Sequence, residues 1–448
     1  MKRLIDQFRR DGGGNVAIIV ALLILPMLVL AGGATDLARY EAHRAQLQDG
    51  VDRAVLAAAS LRQTVPVETT VQDYLKSLAF IEDVDLDYDY TVSLNVRTIK
   101  VKASYDMTAG FLPLIGIHTL PMVVAATAQE KRSNVEISLM LDVSGSMRFR
   151  EPASAPTRIS LLRPAAKTFV DTILTTENQP TTTISIVPYA GSVNIGSTIF
   201  DGIGIARRHN HSSCMEFATT DYGVGLIPFN QRGQVPHFTQ NHATTNEAGL
   251  DWGWCPSEAT AISVMSNNPT VLKNKIDTMR MADGTGSAIA MNWGMMLLEP
   301  ALRPYIAQAA AAGMVPNQFA NRPAPFNDPN TLKVIVLMTD GEITYQRRPN
   351  QYDYPRNPEG DRGNYTWYDA GVANNHLQAV CTRAKNNGVL VFTIGFQLND
   401  ANQAQRDMKT KLRNCASSAS HYYDVAGLDI AGAFNSIATA IQKVKLTQ

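Results

Sequence analysis

The sequence predicts an α/β protein: a mostly parallel sheet with helices on both faces, preceded by an N-terminal transmembrane helix and a small α+β region. Three observations lead there. Residues 16–34 run without a charge. From Asn134 onward, short apolar runs alternate with helix-like stretches, the pattern of a parallel sheet covered on both sides. Two of those runs stop abruptly in carboxylates and hydroxyls, at the strand ends where such sheets gather functional groups.

Composition narrows the class. A chain of 448 residues is long enough for two to three domains, and 45% apolar residues can supply their cores. Lys+Arg and Asp+Glu balance at 40 each, so the basic surplus of a nucleic-acid binder is missing. Cys214, Cys255, Cys381 and Cys415 form no C-x-x-C pair, which leaves zinc-ribbon and thioredoxin-like readings without support. An even number of widely spaced cysteines suits two disulfides in an oxidising compartment.

The N-terminus decides the compartment. Lys2, Arg3, Arg9 and Arg10 precede the uncharged run VAIIVALLILPMLVLAGGA. At 1.5 Å per residue such a helix is about 28 Å long, enough for the hydrocarbon core, and membrane helices tolerate Pro26. The basic flank places residues 1–13 in the cytoplasm, 14–35 in the membrane and the rest beyond it. The competing reading is a cleaved signal peptide, for which LAGGATDLA offers small residues. Either way the bulk of the chain is extracytoplasmic.

Residues 36–62 continue as a helical stalk. Leu37, Tyr40, Leu47, Val51, Ala54 and Ala58 fall on one stripe at spacings of three and four, and Gly50 is its weak link. The stripe suits packing on the stalk's own domain or association with like stalks. Residues 63–133 read as the small α+β region, with TVQDYLKSLAF helical and YTVSLNVRTIKVKASYDM alternating like two strands. FLPLIGIHTLPMVVAATAQ is apolar but too interrupted by Pro113, Gly116 and Pro121 for a second span. This region carries no recognisable chemistry.

Residues 134–448 form the sheet-bearing domain. Its strands are VEISLML, TTISIVPYA, LKVIVLMT and VLVFTIGF, with helix-like stretches between them and LDIAGAFNSIATAIQKV closing the chain. The first strand ends in Asp142, Ser144 and Ser146, spaced D-x-S-x-S, and the third in Thr339-Asp340-Gly341. Between them RMADGTGSAIA supplies Thr285 in a Gly-rich turn. Two carboxylates and three hydroxyls are hard oxygen donors, suited to Mg²⁺ and also to Mn²⁺ or Ca²⁺. With only two protein charges, such an ion keeps an open position for a carboxylate from another protein. D-x-S-x-S by itself also fits a loop-start turn or helix N-cap.

At these residues the sequence resembles the von Willebrand factor A domain, a Rossmann-like fold. Its metal-ion-dependent adhesion site (MIDAS) uses D-x-S-x-S, a later Thr and a later Asp. The resemblance implies Asp142, Ser144 and Ser146 in the first loop, Thr285 in the second, with Asp283 and Ser287 as close competitors, and Asp340 in the third. RRDGGGNVAIIVALLILP, LQDGVDRAVLAAAS, SIVPYAGSVNIG, NWGMMLLEP and LRNCASSASHYYDV look like sequence of the TadG-like proteins of the Flp (tight adherence) pilus system. That family implies a bacterial inner-membrane protein, single-pass, with its C-terminal domain in the periplasm and other pilus-assembly components as partners. Precursors cut by a prepilin peptidase typically carry a Glu a few residues after the cleavage Gly. Gly14 here is followed by Asn15-Val16-Ala17-Ile18-Ile19, so a permanently anchored protein fits better.

Two long insertions complete the reading, about 196–268 and 341–372. The first holds Cys214 and Cys255, whose bridge would close a loop of about 40 residues and stabilise it by roughly 3–4 kcal/mol. We pair Cys214 with Cys255 and Cys381 with Cys415, although three connectivities are formally open. His209, His211 and Cys214 in RRHNHSSC fit a solvated loop with a disulfide cysteine better than a transition-metal site. The second insertion leaves directly from Asp340. Its Tyr345, Tyr352, Tyr354 and Trp367, set among arginines, suit a protein-binding loop or a loop folded over its own domain.

These readings favour a membrane-anchored, metal-dependent protein-binding protein of pilus assembly or anchoring, without enzymatic turnover. A surface adhesin that binds host protein through the same metal is the alternative. A metal or serine hydrolase has little support, since G-x-S-x-G, H-E-x-x-H and P-loop motifs are absent from the sequence.

Overall fold

A computed structural model describes residues 15–60, 63–92, 96–131, 133–150, 152–238, 250–251, 253–350 and 364–447. The chain divides into two compact units, Met1–Lys131 and Arg132–Gln448.

The first unit begins with helix α1, Asn15–Ala58, which runs unbroken through Pro26. Its N-terminal half is long and apolar enough to cross a membrane. Ile19, Leu22, Leu23, Met27 and Leu30 are all exposed. The C-terminal half is different. Leu47, Val51, Ala54 and Ala58 are fully buried against helix α2, Val67–Leu75, and an antiparallel sheet of β1 (Val84–Val92), β2 (Val96–Thr108) and β3 (Thr119–Lys131). The stripe thus packs within its own unit, while Leu37 at its start remains 54% exposed. Strand β3 occupies the segment that looked merely interrupted. Pro121 costs little there, because β3 is an edge strand and one side of its backbone needs no ladder partner.

The second unit is a mixed α/β structure around a six-stranded, mostly parallel sheet. All four expected strands form: β4 (Asn134–Asp142), β5 (Thr182–Tyr189), β7 (Thr331–Thr339) and β10 (Leu390–Phe396). Two short strands extend the edges, β6 (Ser263–Ser266), antiparallel to β5, and β11 (Tyr422–Val425), parallel to β10. The order is β11-β10-β7-β4-β5-β6, so β4 and β7 are central neighbours. Among the helices between them in sequence are α3 (Arg158–Ile173), α4 (Pro269–Thr278) and α5 (Ser287–Met296).

Period-two alternation directs side chains to both faces. Ile137, Leu139 and Leu141 of β4 join a core with α3, α4 and helix α8, Ile430–Thr447. Met140 points the other way, into a core with α5, helix α6 (Ala370–Asn386) and helix α7 (Gln403–Cys415). The cysteines pair as expected: Cys381–Cys415 ties α6 to α7, and Cys214–Cys255 closes the first insertion. Part of the second insertion forms a hairpin of β8 (Gln346–Pro349) and β9 (Asn364–Tyr368).

Candidate metal centre

Strands β4 and β7 run parallel and adjacent, so their carboxyl ends deliver Asp142 and Asp340 to the same edge of the sheet. Both are buried, at 0% and 1% exposure. Beyond Asp142 the chain turns through a short 3₁₀ segment, Gly145–Arg148. Asp142 Oδ1 accepts the Ser144 N–H at 2.8 Å, and its Oδ2 accepts the Thr339 hydroxyl at 2.6 Å. The Ser144 and Ser146 hydroxyl oxygens lie 2.9 Å apart, and Ser146 donates to Asp340 Oδ1 at 2.7 Å. Ser144, Ser146 and Asp340 therefore form a connected run of oxygens, which Asp142 joins through the Ser144 N–H.

Thr285 arrives from the turn before α5. Gly284 there has φ +79°, open to glycine but strained for other residues, and a Cβ on Gly286 would fall 2.6 Å from the Gly191 carbonyl oxygen. Two backbone bonds pin this turn to the end of β5, Gly286 N–H to Ala190 O and Gly191 N–H to Asp283 O, both 2.6 Å. Trp254, next to the disulfide residue Cys255, packs against Gly284 of this turn and Gly191 at the end of β5. Thr344 fixes Thr285 by accepting its N–H at 2.9 Å. Ser144, Ser146, Thr285 and Thr344 line one cleft of about 240 Å³, with Asp283, Arg148 and Phe149 at its sides. Of the two competitors for the Thr285 position, Ser287 is buried beside the Tyr189 hydroxyl at 3.2 Å, while Asp283 also lines the cleft.

Burial, together with the neighbouring charge of Asp340, pushes the Asp142 carboxyl up to about 7. Burial raises Asp340 as well, opposed by Arg158, whose Nη1 donates to Asp340 Oδ2 at 2.8 Å. Arg158 Nε also donates to Gln397 Oε1 at 2.8 Å, so the guanidinium is held from two sides. Two buried carboxylates and three hydroxyls make a set of hard oxygen donors, with the Arg158 guanidinium balancing part of their charge. Mg²⁺ or Mn²⁺ suits these donors, and either ion would favour the ionised form of both acids.

The sequence marks neither Arg158 nor Thr344 as part of the site, and Thr339 only as the strand-end neighbour of Asp340. Arg158 starts a helix 16 residues after Asp142, and no local pattern marks it. Thr339 belongs to the strand-end Thr-Asp-Gly, yet its bond to Asp142 exists only because β4 and β7 are neighbours.

Elsewhere, Cys214 is taken up in its disulfide. The His209 ring lies near those of His211 and His237, at centroid distances of 5.8 and 6.0 Å. Among the described residues, no group of three or more His, Cys, Asp or Glu side chains is placed to hold a metal. In the second insertion Tyr345 is 45% exposed, with Arg347 over its ring. Trp367 instead packs partly against its own core, with Arg348 4.3 Å from its ring centre. Tyr352 and Tyr354 lie outside the described residues, as do residues 1–13.

The class defined so far is an α/β unit with an oxygen-lined cleft, in a chain that opens with a long apolar helix. Comparison with known families adds that residues 14–61 match the putative Flp pilus-assembly TadE/G-like family, so the N-terminal segment is TadE/G-like. No curated protein matches the chain. Among solved structures it is similar to the pilus adhesin SpaC of Lactobacillus rhamnosus GG, at 14% identity and TM-score 0.38, over 81% of this chain and 35% of that one. It is also similar to the vWF domain of the type V pili tip protein Mfa5 from Porphyromonas gingivalis, at 14% identity and TM-score 0.37, over 70% and 97% of the two chains. A mutant of the PilB minor pilin from Streptococcus sanguinis is similar at 14% identity and TM-score 0.36, over 81% and 79%. The chain spans about a third of SpaC's length.

Proposed function

We propose that this chain is a membrane-anchored component of Flp/Tad pilus assembly or anchoring. In this reading α1 crosses the bacterial inner membrane with the N-terminus in the cytoplasm, and the α/β unit is a periplasmic von Willebrand factor A-like domain. That unit recognises a partner protein through a divalent cation, Mg²⁺ first, held by Asp142, Ser144, Ser146, Thr285 and Asp340. The observation that carries the metal reading is the convergence of these side chains, from three separate loops, on one edge of the sheet. The TadE/G-like match over residues 14–61 supports the pilus role.

The ion supplies a Lewis-acidic position for a partner's carboxylate. The chain's own residues hold the site around it. Thr339 and the Ser144 N–H orient Asp142, Arg158 orients Asp340, and Thr344 fixes the Thr285 turn. We read the result as binding rather than turnover, with other pilus-assembly components as partners and the exposed Tyr345 at the rim of the contact surface.

The test is genetic. The gene is deleted in its own bacterium and restored as wild type or Asp142→Ala, and surface pili are counted by electron microscopy. The proposal expects loss of pili on deletion, recovery with wild type and failure with Asp142→Ala at equal protein level. Normal piliation in the deletion strain would remove the assembly role. Full rescue by Asp142→Ala would remove the cleft from it.

A further inference from the structure

We propose that the turn between β2 and β3, Phe111-Leu112-Pro113-Leu114-Ile115-Gly116-Ile117, enters the outer interfacial layer of the bilayer crossed by α1, as a second and shallow membrane contact. The inference rests on the membrane-anchored reading of α1.

Asp36 lies just past the apolar run of α1 and is fully buried. Its Oδ1 accepts the Gly110 N–H at 2.9 Å, and its Oδ2 accepts those of Phe111 and Leu112 at 2.7 and 2.9 Å. Three backbone donors on one carboxylate fix the turn against the helix at that level. Phe111 packs so closely on α1 that a Cβ on Gly32 would fall 2.3 Å from its Cγ, and Leu112 covers Gly33. Gly32 and Asp36 are four residues apart, about 6 Å along the axis, so the turn sits where the apolar run ends.

Residues 109–117 contain no charge. Leu114 is 60% exposed, Ile115 55%, Phe111 43% and Ile117 41%. Four large apolar side chains grouped at one tip are unusual on a surface facing water. Their folded conformation is also defined: Ala109 N–H bonds His118 O at 3.0 Å, and Gly116 at φ +91° closes the 3₁₀ turn Leu112–Ile115. The side chains are therefore held outward. Arg39, one turn beyond Asp36, has its guanidinium beside Gly110, as suits a cation among lipid headgroups. The depth implied is that of interfacial segments, about 5–10 Å into the headgroup and acyl boundary.

The chain has no free cysteine, so one introduced thiol can be labelled specifically. The full chain carrying Leu114→Cys is labelled with the environment-sensitive fluorophore NBD and reconstituted in phosphatidylcholine/phosphatidylglycerol vesicles. Some vesicles contain lipid spin-labelled at acyl carbon 5, others at carbon 12. Leu22→Cys reports on α1, and Thr91→Cys, at the opposite end of the sheet, reports on water.

The proposal predicts several-fold brighter emission at 114 than at 91, with stronger quenching by the shallow label than by the deep one. Adding Ile115→Asp to Leu114→Cys should lower both signals, and both side chains are exposed enough to change without unfolding the turn. Quenching at 22 with 114 behaving like 91 would overturn the proposal and leave the anchored reading standing. Absence of quenching at both 22 and 114 would overturn both.

Discussion

Arg158→Met is the most informative change near the cleft. Arg158 donates to Asp340 Oδ2 at 2.8 Å, and the pair is nearly buried, with side-chain exposures of 10% and 0%. Removing one member of a buried pair leaves an uncompensated charge, which typically costs about 3–5 kcal/mol. Asp142 makes it worse, because it shares the hydrogen-bonded oxygens and its own carboxyl is already raised by burial and by Asp340. Without metal, the melting midpoint should therefore fall by on the order of 5–10 °C. A divalent cation in the cleft supplies the missing positive charge. If the more negative site binds Mg²⁺ about tenfold tighter, saturating metal restores about 1.4 kcal/mol more to the variant than to wild type. The assay is four thermal melts of the detergent-solubilised full chain: wild type and Arg158→Met, each with EDTA and with Mg²⁺. A midpoint deficit of the same size in both conditions would mean that Arg158 and the ion do not share an electrostatic site.

Two further predictions concern groups away from the cleft. Burial, then the neighbouring His209 and His211, lowers the His237 imidazole from 6.5 to about 4. The unfolded chain takes up this proton first, so His237 favours folding above pH 6.5, and that contribution drains away as pH falls towards 4. The loss is about 3 kcal/mol across the window, and His237→Asn should flatten that part of a melting-midpoint profile relative to wild type. At the amino ends of β4 and β7, Glu136 receives Lys333 Nζ at 2.6 Å and Arg322 Nη1 at 2.9 Å. Lys333→Met should lower stability by about 3 kcal/mol, and adding Glu136→Gln should recover part of it, read as a melting-midpoint cycle.

The long elements were legible because each carries its own pattern. VEISLML, TTISIVPYA, LKVIVLMT and VLVFTIGF are continuous apolar runs of strand length, and each forms a strand of the central sheet. Strands β6 and β11 escaped notice because four residues are too few to display a period. Strand β3 was masked by Pro121, which disqualifies a central strand but not an edge. In α1 the apolar stripe correctly marked Leu47, Val51, Ala54 and Ala58 as a buried face. It could not reveal that packing does not extend to Leu37.

The site divides in the same way. Asp142, Ser144 and Ser146 are neighbours in sequence, and Asp340 ends an obvious strand, so strand-end chemistry brought them forward. Arg158 and Thr344 act through contacts that only the folded chain creates. His237 joins His209 and His211 from more than 25 residues away for the same reason.

The cleft as proposed holds a divalent cation. A thermal melt of the full chain in detergent, with EDTA, Mg²⁺ or Mn²⁺ and beside Asp142→Ala, tests it most directly. A ligand bound only by the folded state raises the midpoint as its concentration passes its dissociation constant. A metal-dependent rise in wild type that disappears in Asp142→Ala is the expected result. Superimposable wild-type melts with EDTA and with saturating Mg²⁺ or Mn²⁺ would contradict it.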